Sequence, residues 1–98
     1  YTVYNAGMEI RDDQVFTVPD DVLFQEVSGE TVLLDLESEQ YFGLDEVGTR
    51  IWALLNEGQG VAAIVETLLT EYEVGREQLE ADVRELLAAL LDSGLIEA

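Results

Sequence analysis

Apolar positions change their spacing once along this chain, and the change falls near Leu44. Ahead of it they come in short runs, Val22 to Val27, Thr31 to Leu36 and Gln40 to Leu44, rich in β-branched and aromatic residues. Ser28-Gly29-Glu30 separates the first two runs and Glu37-Ser38-Glu39 the second pair, lengths that favour hairpins. The pattern predicts three antiparallel strands in succession. Gln14 to Val18 is a candidate fourth, with Val15, Phe16 and Val18 in imperfect alternation. It ends at Pro19, which cannot donate to a ladder and closes edge strands. Tyr1 to Gly7 precede Met8, a candidate native start, and alternate as a strand could at Tyr1 and Val3.

Beyond Leu44 the period becomes helical. Asp45 offers a side-chain oxygen to the free amides of a helix over about Glu46 to Asn56, which carries Val47, Ile51, Trp52, Leu54 and Leu55. Gly58 suits the left-handed residue that ends such a helix. Val61, Ile64, Val65, Leu68, Leu69 and Tyr72 then form one apolar stripe, predicting a helix over about Val61 to Tyr72. A third, about Glu77 to Ser93, repeats the spacing with Leu79, Val83, Leu86, Leu87, Leu90 and Leu91. Glu80 and Arg84 stand at i, i+4 in the favoured order, worth about 0.3 kcal/mol. Gly94 closes the helix, and Leu95 can fold back on its last turn. Strands followed by helices define an α+β class: three strands, then three helices, with residues 1–13 an N-terminal extension (a tag or a flexible segment) and 14–98 one domain.

Composition changes the picture mainly by exclusion. The 98 residues suffice for one domain, able to bury roughly 65% of its unfolded surface. With no cysteine and no histidine, disulfides, thiolate chemistry, imidazole acid–base work and most zinc sites drop out. No apolar run approaches the roughly 18 residues that cross a bilayer, and no basic signal segment opens the chain. The simplest address is the cytosol. Four arginines and no lysine stand against 22 acids, a formal charge of −18. That field repels phosphate backbones and anionic lipid heads and attracts basic partners. It opposes nucleic-acid binding even in a fold that permits it. Solubility, or a halophilic or thermophilic habit, accounts for the charge equally well.

Candidate chemistry is sparse. Ser28, Ser38, Ser93 and the threonines lack an evident base. Asp12-Asp13, Asp20-Asp21 and Asp45-Glu46 suit turns and caps better than acid–base dyads. No acidic loop has the calcium spacing, and Gly58-Gln59-Gly60 lacks the lysine of a phosphate loop. The expectation is no enzyme, no cofactor and no metal. Binding is the better class, because a short sheet beside helices leaves an edge that can accept another backbone. If Gln40 to Leu44 is that edge, a peptide can add there, and proline at Tyr41 or Phe42 should remove an edge amide. Of Tyr41 and Phe42, at least one should be core, and Trp52 reads as a core anchor.

The ordered set Val32-Leu33-Leu34-Asp35, Gln40-Tyr41-Phe42-Gly43-Leu44-Asp45, Gly48-Thr49-Arg50-Ile51-Trp52-Ala53-Leu54-Leu55 and Leu90-Leu91-Asp92-Ser93-Gly94-Leu95-Ile96 resembles the PqqD-like family over roughly Val22 to Ile96. Asp45 replaces a frequent asparagine, and Gln59-Gly60 a frequent serine or threonine cap. The resemblance implies a peptide-recognition domain of pathways that modify ribosomally made peptides, with a winged helix-turn-helix-like fold. The precursor's leader would add as a strand beside the third strand and lie against the third helix. Carried over, the docking residues are Gln40, Tyr41, Phe42, Gly43 and Leu44, with Leu79, Asp82, Val83, Leu86, Leu87 and Leu90 as the wall. Asp82 and Glu85 are the acidic candidates in that groove. A separate chain of this length is similar to the leader-binding proteins of lasso-peptide clusters, which hand the precursor to a separate leader peptidase. A pyrroloquinoline-quinone peptide chaperone serving a radical enzyme is the sibling reading. An oligomerisation module is a further alternative, and monomer and homodimer both stay open.

Overall fold

The computed structural model describes residues 10–98; the reading of Tyr1 to Gly7 lies outside them. Three strands, β1 (Val22–Val27), β2 (Glu30–Asp35) and β3 (Gln40–Leu44), form an antiparallel sheet in the order β1-β2-β3. Three helices follow, α1 (Glu46–Asn56), α2 (Val61–Glu71) and α3 (Arg76–Asp92).

The β1–β2 turn takes a left-handed backbone at both central residues, Ser28 (φ 55°) and Gly29 (φ 84°), the geometry that continues the twist of the flanking strands. The β2–β3 connection ends at Glu39, also left-handed (φ 61°), whose amide donates to the Asp35 carbonyl (2.7 Å). Alternation then sorts the sheet into two faces. Leu33 at its centre is fully buried, flanked in register by Phe24 and Phe42. The opposite face carries Leu23, Val27, Val32 and Tyr41, all exposed, so among the described residues nothing covers this largely apolar side of the sheet.

The helices close over the first face. Asp45 caps α1 by accepting from the Gly48 amide (2.8 Å). Both α1 and α3 end as expected: Gly58 (φ 88°) and Gly94 (φ 76°) are left-handed, and the amides of Gln59 and Leu95 reach back to Leu54 and Leu90. Leu95 is buried against that last turn. Ile51, Leu54, Leu55, Ile64, Leu68, Leu87 and Leu90 form the centre with Leu33, each worth about 1.5–3 kcal/mol of transfer free energy. Trp52 is buried as an anchor, with its ring edge-on to Phe24 at 5.4 Å between centroids.

Two expectations need correction, and the N-terminal segment explains one of them. Gln14 to Val18 is no strand; Thr17 alone makes an antiparallel bridge, exchanging bonds of 2.8 Å with Glu97, because Pro19 halts the ladder and its carbonyl turns the chain into β1. Residues 10–14 pack onto the helices: Ile10 is buried, and the carbonyls of Asp12 and Gln14 receive the amides of Ala62 and Val61. Those carbonyls cap α2, where Gly60 has no side chain to do so. A Cβ on Gly60 would meet the Gln14 carbonyl oxygen at 3.1 Å, so a larger residue there would push the N-terminal segment back by a few tenths of an ångström. Finally, Arg84 does not pair with Glu80; it turns to the Ile10 carbonyl and the Asp12 carboxylate, where it ties the N-terminal segment to α3.

Candidate functional site

Among the described residues, β1 and β3 are the sheet edges, and β3 has α3 standing beside its open side. Between β3 and α3 runs a groove of about 580 Å³. Phe42, Leu44, Val47, Ile51, Leu86 and Ala89 supply its apolar surface, and Asp45, Asp82 and Glu85 its carboxylates.

The turn chemistry determines which backbone groups of β3 are free. In a two-residue hairpin the closing pair, Val27 and Glu30, exchanges ladder bonds, and such pairs recur at every second residue. The Leu36 amide, which donates to the Asp21 carbonyl (2.9 Å), keeps the same parity. Residues 30, 32, 34 and 36 therefore turn their backbone to β1, and 31, 33 and 35 turn theirs to β3. Their register partners on β3 are Leu44, Phe42 and Gln40. The amides and carbonyls of Tyr41 and Gly43 are then the ones that point out of the sheet edge, toward the space beside α3.

The sequence-derived residues divide accordingly. Phe42, Gly43, Leu44, Asp82 and Leu86 line the groove. Tyr41 contributes backbone only: its ring is 74% exposed and lies on the outer face of the sheet. Gln40 is exposed at the end of the strand. Leu79, Val83, Leu87 and Leu90 do not form the wall; all four are buried in the core. Successive helical positions turn by 100°, so the row at 79, 83, 87 and 90 faces inward while the neighbouring row at 82, 86 and 89 borders the groove. Val47, Gly48, Ile51 and Ala89 were not foreseen. Gly48 and Ala89 are too small to register in a hydrophobic stripe, and a Cβ on Gly48 would crowd the Leu44 and Asp45 side chains at 3.3 and 3.2 Å.

Ion pairs brace the helices elsewhere. Arg50 grips both oxygens of Glu71 (2.9 and 2.8 Å), tying α1 to α2 and holding that carboxyl below its ordinary range. Arg76 bonds Glu66 (2.7 Å) with the same effect between α3 and α2. Among the described residues, no group of three or more acids is arranged to hold a metal ion, and no helix is long and apolar enough to cross a membrane.

Among the described residues, a sheet edge with a helix beside it and an apolar groove between them has the geometry that strand addition requires. The chain belongs to the PqqD family: residues 30–96 match the model of coenzyme PQQ synthesis protein D. Two solved structures share the fold. One, TbiB1 in complex with the TbiA(beta) leader peptide, is 43% identical, with a TM-score of 0.79 over 84% of this chain and 95% of that one. The other, a lasso peptide synthetase B1 complexed with the leader peptide, is 27% identical, with a TM-score of 0.79 over 87% of this chain and all of that one. A search of curated proteins returned no match.

Proposed function

We propose that this chain is a non-catalytic adaptor that binds the leader segment of a ribosomally made precursor peptide. The leader adds as a strand to β3, through the Tyr41 and Gly43 backbone groups, and its inward side chains enter the groove against Leu86 and Ala89. The adaptor then presents the precursor to a separate leader peptidase. The observation that carries the reading is the open β3 edge beside α3, in a fold 43% identical to a protein solved with a leader peptide. Backbone bonds supply sequence-tolerant affinity, and the groove adds selectivity for a few anchors. The name of the family model favours a second reading, a peptide chaperone in pyrroloquinoline-quinone synthesis; the identity to TbiB1 favours the first.

The test is fluorescence anisotropy of a labelled leader from the precursor encoded beside this chain. Saturable binding at micromolar concentration or below is expected. A flat titration would move the weight to an oligomerisation module, which sizing with and without peptide would detect.

A further inference from the structure

The groove has an apolar floor and a one-sided electrostatic rim. Asp82 and Glu85 border it from α3, and Asp45 borders it from the start of α1. Asp45 already accepts from the Gly48 amide, and Asp82 accepts from Gln78 (2.9 Å), but both contacts are with neutral donors. The chain has four cationic side chains, Arg11, Arg50, Arg76 and Arg84. Each is in an ion pair away from the groove, with Asp13, Glu71, Glu66 and Asp12 respectively. Arg84 is next to Glu85 in sequence, yet it turns round the helix to the N-terminal segment. Among the described residues, nothing balances the groove carboxylates.

We infer that the occupant of this groove is a basic amphipathic strand, whose lysine or arginine stands opposite Asp82 and Glu85 while an adjacent apolar side chain rests on Phe42, Leu44 and Leu86. The inference rests on the strand-addition reading and adds the charge that selects among peptides. A lysine suits the geometry because its methylene stem can lie along an apolar floor while its ammonium reaches the rim. Strand pleating makes the requirement periodic: only every second residue of an added strand faces α3, so a cation helps at alternate positions and not between them. Complementary charge also rejects acidic peptides, which the groove carboxylates repel.

The experiment is a lysine scan of the fluorescein-labelled TbiA(beta) leader peptide, titrated by anisotropy into the whole chain at low and high sodium chloride. Single lysines should tighten binding about three- to tenfold at alternate positions, the range for partly exposed ion pairs acting together. Norleucine at the same positions, which keeps the stem and loses the charge, should not. The pattern should flatten at high salt and in the isosteric Asp82→Asn/Glu85→Gln double variant, with Glu85→Gln alone showing half the loss should the double variant misfold. If the parent peptide binds but lysine has no periodic effect, or the pattern survives in the neutralised variants, the inference falls and strand addition stands. If only the leader of this chain's own precursor binds, the scan is made on that peptide; if neither leader binds the unaltered chain at any salt, the strand-addition reading falls and takes the inference with it.

Discussion

Asp45 stands where two demands meet, since its carboxylate caps α1 at 2.8 Å and also borders the groove. Substitution separates them. Asp45→Ala should destabilise the fold by about 1 kcal/mol in urea denaturation, the usual loss for a cap, while Asp45→Ser should recover most of that stability without restoring the charge. On α3, Leu86 and Val83 are three positions apart with opposite fates. Leu86→Glu, half-buried at the groove, should weaken peptide binding and leave the circular dichroism spectrum native. Val83→Glu, a charge placed in the closed core, should cost about 3 kcal/mol or more and abolish the folded spectrum. The apolar stripe of α3 was legible in the sequence, but its division between core and groove was not. Both rows satisfy the same i, i+3, i+4 spacing, and only the position of β3 decides which is covered.

Elements were the most legible level. The three helices, the glycine ends of α1 and α3 and both hairpins follow from local chemistry that tertiary packing reinforces. What failed depended on distant partners: Thr17 pairs with Glu97 at the far end of the chain, and the cap of α2 comes from the carbonyls of residues 12 and 14. No local spacing announces either. The strand edge shows the same limit. Proline at Tyr41 or at Phe42 looked equivalent in sequence, yet parity separates them. Tyr41→Pro removes an outward amide and should abolish leader binding with the melting temperature little changed. Phe42→Pro removes a ladder bond facing Leu33 and should lower the melting temperature sharply. Thermal denaturation beside a binding titration distinguishes the two, and equal melting temperatures would overturn the parity assignment.

At the scale of the whole molecule, the charge of −18 acts on folding and binding with opposite sign. Self-repulsion opposes the compact state, so added salt should stabilise the fold; relief of about 1 kcal/mol would raise the melting temperature by roughly 4–8 °C in a domain of this size. The same salt should weaken the grip on a basic peptide. A calorimetric melt and a binding titration across one salt series should therefore slope in contrary directions, and parallel slopes would mean that the acidic surface has no part in recognition. The open outer face of the sheet, with Tyr41 at its rim, has a further consequence. A strand added at β3 continues the pleat, so its residues divide into two interleaved texts. On the proposed mode of binding, one would be read in the groove while the other faced away, open to a second reader that could inspect the ligand without displacing it.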